Sequence, residues 1–579
     1  MTIALTKPAS ESALARQEPG ECHGQRARQN RAVATVAFAC GLVIASTVGC
    51  NSRKSTGSTT GAGGSNSKTS APGETLSSDR HAGDDNQGAH GLSADLSNGA
   101  ALKTPLDGWE KPALALVLTG QQYGYFEPCG CSELQSGGVY RRADLVEKIE
   151  KKGWPVAALD LGGNARRTRR HSEIKFDTLL DALRDMRYKA VGLGPQDIAF
   201  GAAYLLSKYT GDPDDPEVGL PFVAANVVLF DTPDLPQGPL PARVFTVGGV
   251  KIGVTSILSP AFEETTAIAE NNPDLSVLDP KSVLPGAIAQ LKEQKPDLMV
   301  LLSHADLETT RDLAKEFDEF DLILSAGGPE DPDNKPMRAG KAMLLNVGHK
   351  GKYTGVVGYY PGNSDARFRF ELVDLDKERF EDNLKMVAHL RNYQSRLHSE
   401  KIAGNAPEME HPSGATYVGA EACAECHPKA YEKWVSTRSS SGGHAYAFES
   451  LKGPRKGHAD HGISRIYDTE CLVCHVTGWH PQEIIRYKSG FINEEYARND
   501  EQREMFQLLR GVQCENCHGP ASRHIELVGE ENFEAARKEV HVSLKVAKEK
   551  LCYECHDDDN SPHFDFDTYW EQIEHPWLD

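Results

Sequence analysis

Near the C-terminus the chain repeats one five-residue pattern, Cys-x-x-Cys-His, at 423–427, 471–475, 514–518 and 552–556. The spacing suits one chemistry. Two thiols three residues apart reach both vinyl groups on one porphyrin edge and form thioethers, and the following imidazole swings under the ring to ligate iron. Paired cysteines also build tetrahedral zinc sites. A zinc ribbon, however, needs no His directly after the second Cys, and all four copies have one. The pattern therefore implies four covalently attached haem c groups. The attachment residues are Cys423, Cys426, Cys471, Cys474, Cys514, Cys517, Cys552 and Cys555. His427, His475, His518 and His556 are the proximal ligands. This leaves about 40 residues per macrocycle, too few for ordinary apolar cores. The porphyrins must themselves fill the interior and lie edge to edge. From His411 onward there are 13 histidines, so nine remain for sixth coordination positions, where a neutral imidazole is a good ligand.

Five further cysteines, Cys22, Cys40, Cys50, Cys129 and Cys131, do not amount to a disulfide framework. Cys129-Gly130-Cys131 is a thiol pair that could bind a metal or cycle redox state, or be inert. Arg26, Arg28 and Arg31 precede an uncharged run at 32–48, the layout of an export signal. The run ends Ser46-Thr47-Val48-Gly49-Cys50, which resembles a bacterial lipobox with Cys50 as the lipidated residue, although Thr47 departs from the usual aliphatic. The alternative is an uncleaved anchor. Both place the remainder outside the cytoplasm, in the periplasm and tethered to the membrane. The stretch 51–109 is rich in Ser and Gly and reads as a disordered tether.

A chain of 579 residues is long enough for three or four domains. Its formal charge of -20 argues against nucleic acid as a partner. The acidic surface is either a solvated face or a docking face for a basic redox protein. Between residues 110 and 375, short apolar strands alternate with amphipathic helices, the pattern of an α/β core with a largely parallel sheet. The runs at 342–347, 353–360 and 368–373 read as closing antiparallel strands of a second, mixed sheet. A single helix is expected over 197–209. Apolar positions at Phe380, Leu384, Val387, Leu390 and Tyr393 mark a helical linker within 376–415, and the haem domain follows at 416–579.

The haem domain resembles the cytochrome c-554 family. The resemblance is carried by the four motifs, by 417–423, by Trp434 followed by 444–448, by 473–478, 511–515 and 517–520, and by 560–565 running into Tyr569, Trp570 and His575. It implies a mainly α-helical, haem-packed multihaem fold with His444, His524 and His575 as distal ligands. His541 and His563 are the reserves, whereas His458, His461 and His480 are surface or second-sphere residues. It also implies that one haem stays open, assigned to the second motif.

Residues 110–375 resemble calcineurin-like metallophosphoesterases of the 5'-nucleotidase branch, through 124–128, 137–142, 160–164, 301–304 and 347–353. This implies a two-sheet αββα sandwich. The metal positions depart from the family: Gln121 and Tyr123, Gly163, Pro195 and Gln196, and Gly327 and Pro329 stand where ligands belong, and only His304 survives. A dinuclear site needs carboxylates and imidazoles around two cations, so loss of phosphatase chemistry is expected. Three readings follow: an exported electron carrier between redox proteins; a haem oxidoreductase acting on hydroxylamine, nitric oxide or nitrite; and an active phosphohydrolase, which the missing ligands disfavour.

Overall fold

The computed structural model describes residues 103–128, 136–208, 220–233, 235–362, 366–437, 443–453 and 461–576. The export segment with Cys50, nearly all of the tether, the Cys129/Cys131 pair and His458 lie outside the described residues.

Besides a small antiparallel pair (Val227–Leu229 and Leu275–Val277), eleven strands among the described residues build the first region: β1 (Leu114–Thr119), β2 (Val156–Asp160), β3 (Tyr188–Val191), β4 (Arg243–Val247), β5 (Val250–Leu258), β6 (Leu298–His304), β7 (Leu322–Ser325), β8 (Met337–Ala339), β9 (Ala342–Leu345), β10 (Tyr353–Tyr359) and β11 (Phe368–Asp374). They form two sheets, in the orders β11-β10-β1-β2-β3 and β8-β9-β7-β6-β5-β4. Strand alternation explains the layering. In β1, Leu114, Leu116 and Leu118 meet Val254, Val300, Leu302 and Leu324 of the other sheet. Ala115 and Val117 point the other way, toward helices α1 (Val139–Lys151) and α2 (Arg170–Asp185). On the far side, Leu301 and Ile323 meet a helix at Pro280–Glu293. Both faces of each central strand are covered, which is why these strands read as continuous apolar runs.

The closing strands are distributed differently from the sequence expectation. β9 pairs parallel with β7, whereas β10 and β11 cross over and pair antiparallel beside β1. Register against already buried partners decides this, and a strand's own residues do not carry that information. The helix expected over 197–209 is broken into Pro195–Ile198 and Ala202–Ser207, because Gly201 adopts φ +86° between them. Order begins before residue 110: Leu106 is in the core, and Trp109 stacks on Trp154 at 6.5 Å. Helix α3 (Leu384–Ser399) is more than a linker. Val387, Leu390, Tyr393 and Leu397 bury into the cluster shared with α1 and α2.

The C-terminal region is made of short helices around a small cluster that includes Phe448, Leu472, Trp479, Phe491 and Leu509. A three-stranded patch (Glu408–Met409, Ile485–Tyr487, Trp479–His480) closes one side. No helix among the described residues is long and apolar enough to cross a membrane.

Candidate haem centres and the former metal cleft

The residues between the paired cysteines, free in principle, knit the motifs together. Glu515, inside the third motif, is buried and accepts backbone N–H bonds from Val418, Gly419 and Ala521 at 2.8–3.1 Å. It thereby caps the helix Ala420–Ala424 that carries the first motif. Burial raises its carboxyl above the ordinary range, with those N–H donors pulling the other way. Its neighbour Asn516 takes the Thr477 hydroxyl at 2.6 Å and donates to Val476 O at 3.1 Å, tying the third motif to the exit of the second. Each motif spans about one helical turn: His427 N and His556 N bond to Cys423 O and Cys552 O at 2.9 Å. That turn brings the His beneath the plane its two cysteines define.

Three of the four motif histidines face a second imidazole. His427 stands 6.5 Å from His524, His556 6.1 Å from His444, and His518 5.9 Å from His575, ring centroid to centroid. Two imidazoles on opposite sides of one metal, each with a bond of about 2 Å, stand roughly 6 Å apart. The other ring nitrogens are held elsewhere. Nδ1 of His518, His524 and His475 lies 2.8 Å from the carbonyls of Val540, Ala536 and Ala447 respectively, and Nδ1 of His556 lies 3.0 Å from Ser561 Oγ. Such bonds fix the tautomer and leave Nε2 to ligate. Burial, with His556 alongside, brings His444 down to about 4, so its ring is neutral. The residues present thus fit bis-imidazole haem.

His444, His524 and His575 each lie about 6 Å from the histidine of a motif other than the one nearest in sequence, a pairing that no sequence spacing could reveal. His461 bonds to Asp382 at 3.0 Å. His563 lines a cavity of 1650 Å³ together with Cys471, Cys474, His475, Cys552, Cys555 and His556. Among the described residues none of the eight motif cysteines is in a disulfide, and none is fully buried.

In the first region, the loops that follow β1, β2, β3 and β6 converge as they would around a metal pair; their carboxylates Asp160 and Asp197 are held by neighbouring donors, whereas Gln121 Oε1, Gln196 Oε1, His304 Nδ1 and His349 Nε2 are buried without a hydrogen-bond partner among the described residues. Asp160 accepts from Thr119 at 2.6 Å, Gly162 N at 2.9 Å and Asn164 at 2.8 Å. Asp197 accepts four backbone N–H bonds, from Gly163, Asn164, Ala165 and Gly194, at 2.7–2.9 Å; burial nonetheless raises it to about 6. His304 packs so close that a Cβ at Gly163 or Gly194 would meet its ring at 2.9 or 2.6 Å. Burial holds this ring at about 4. Gln121 donates to the Tyr123 hydroxyl at 3.0 Å, and Tyr123 stands edge-on to His349 at 5.5 Å. Gln196 donates to Glu264 at 2.9 Å. His349 went unassigned from sequence. Its only signal was its place in the stretch 347–353.

Comparison with known proteins agrees with both halves. Residues 422–519 match the family described as Cytochrome c554 and c-prime. Cytochrome c-554 of Nitrosomonas europaea is 30% identical over 112 residues, 18% of this chain and 39% of that protein. The apyrase of Aedes aegypti is 27% identical over 194 residues, 32% of each chain. Human 5'-nucleotidase is 23% identical over 288 residues, 46% of this chain and 47% of that protein. Among solved structures, a 5'-nucleotidase precursor from Thermus thermophilus aligns with TM-score 0.43 and 20% identity, covering 51% of this chain and 61% of that one. The chain spans about a third of the length of the apyrases it matches. It joins a central α/β region similar to apyrases and 5'-nucleotidases to a C-terminal region matched by the cytochrome c554 family.

Proposed function

We propose that this protein is an exported electron carrier with four covalently attached haem c groups, held at the membrane through lipidated Cys50 and passing electrons between redox proteins outside the cytoplasm. One observation carries the reading: three proximal histidines each face an imidazole from another part of the chain at 5.9–6.5 Å. Haem supplies one-electron redox chemistry when bound. The chain's part is to hold these rings: His427 with His524, His556 with His444 and His518 with His575 would each offer two imidazole ligands to one haem iron, and Nδ1 bonds orient His518, His524 and His556. Glu515 and Asn516 hold motifs one to three in a fixed mutual arrangement, which keeps neighbouring centres close enough for electron hopping.

In this reading the α/β region has lost phosphoesterase chemistry. Its carboxylates Asp160 and Asp197 brace loops, and His304 fills space beside Gly163 and Gly194. Pyridine haemochrome assay with intact mass on protein matured in a competent host should give four haems per chain. Bound zinc, or a mass without haem increments, would overturn the reading. Manganese-dependent phosphate release from nucleotides, abolished by His304→Ala, would overturn the second part.

A further inference from the structure

The two regions are joined at an unusual place. Glu470 stands immediately before Cys471 in the helix Thr469–His475, and the groups that hold it come from the α/β region. Lys175 of α2 makes an ion pair with it, Arg167 Nη1 lies 3.7 Å away and His171 Nε2 lies 3.5 Å away. Burial alone would raise the Glu470 carboxyl. Lys175 and His171 overcome that and hold it well below the ordinary range. Asp468, which caps the same helix, takes a bond from Gln394 of α3 at 2.7 Å. Next to it, Arg465 pairs with Glu127 from the loop after β1. Lys175 and Arg465 stand in the wall of the same cavity as Cys471. Glu127, Arg167, Lys175, Arg465, Asp468 and Glu470 all line the cavity that holds Cys471, Cys474 and His475.

This is a costly way to join two domains. Charges withdrawn from water need near-ideal partners to recover their desolvation, and apolar residues would dock at least as well. Placed at a thioether edge in a medium of low dielectric, though, such charges act on a redox centre over several ångströms. A nearby cation favours the reduced haem, which carries one more electron, and a nearby carboxylate favours the oxidised haem.

We propose that the α/β region serves as an electrostatic cap on the second haem, in which Lys175 and Glu470 set that haem's reduction potential in opposite directions while Arg167 and His171 hold Glu470 in place. The cap rests on the reading that 471–475 carries a haem. Lys175, Arg167, His171 and Glu470 are positioning residues. The former metal cleft thus lends its rim, here the loop after β2 and the start of α2, to a new task.

The test is a potentiometric titration of the full-length, haem-loaded protein and of Lys175→Met, Lys175→Arg and Glu470→Gln. One of the four couples should fall in Lys175→Met, where Arg167 and His171 still hold Glu470 ionised. The same couple should rise in Glu470→Gln. Each shift should be roughly tenfold in the reduced-to-oxidised ratio, which is 59 mV for one electron. Lys175→Arg should restore the wild-type value. Shifts of the same sign in Lys175→Met and Glu470→Gln would mean solvent entry, and would overturn the cap. Four unmoved couples would overturn it equally. Should Lys175→Met fail to fold, Arg465→Met removes the other cation at the Cys471 edge and must shift the couple the same way. Peptide mass mapping keeps the two ideas apart: a 471–475 peptide without haem overturns the underlying reading, whereas a haem-bearing peptide with an unmoved couple overturns the cap alone.

Discussion

The two halves of this chain keep their folds by opposite means. In the α/β region, β1 is buried along its whole length and the apolar layer between the sheets is continuous. The information is spread over dozens of positions, so the architecture does not depend on which residues stand at Gln121, Tyr123 and Gly163. In the C-terminal region the helices Pro428–Ser436 and Asp500–Leu508 contain no buried residue. Phe533 and Leu544 are 54% and 55% exposed. Here the core is small, and the macrocycles implied by the four motifs would complete it. Function can be lost from the first kind of fold without loss of structure. In the second kind, the cofactor and the structure are the same investment.

The sharpest way to break this comparison is to remove the thiols. Serine at all eight motif cysteines should abolish cooperative unfolding of residues 416–576, while a protease-resistant fragment covering about 103–400 survives limited digestion. A haem-free C-terminal half as resistant as the loaded one would end the distinction. The converse experiment attacks the first core. Leu302→Ala, at a fully buried site between the sheets, should cost about 2–5 kcal/mol in denaturant unfolding. The haem absorbance should not change.

His304 gives a pH test of comparable size. Its folded-state value of about 4 lies below its ordinary 6.5 because burial disfavours the charged ring. Stability from this neutral His is therefore complete above pH 6.5 and is lost as pH falls from 6.5 toward 4, up to about 3 kcal/mol. His304→Gln should flatten that part of the stability profile of the first region. An unchanged profile would show that the ring is not held neutral. The smallest effect on stability belongs to the axial positions. His524→Ala, His444→Ala or His575→Ala should each turn one haem from low to high spin and open it to carbon monoxide, with the covalent haem count still four. Unchanged spectra in all three would point to His541 and His563 instead.

Sequence alone carried the expectation of haem attachment, because Cys-x-x-Cys-His is a local pattern whose geometry one helical turn dictates, and the cytochrome c554 family match points the same way. It also determined the alternation of strands and helices between 114 and 325, since burial on both faces writes itself into every residue of a parallel strand. Tertiary structure decided the rest. Which imidazole faces which proximal His depends on contacts across 97 positions for His427 and His524, and 112 for His444 and His556. The closing strands were divided between two sheets by register against partners far along the chain. Glu470 looked like an unremarkable residue beside a motif. Only the approach of α2 made it the point where the α/β region reaches the second Cys-x-x-Cys-His motif, because an ion pair is a property of two places and neither sequence stretch records it.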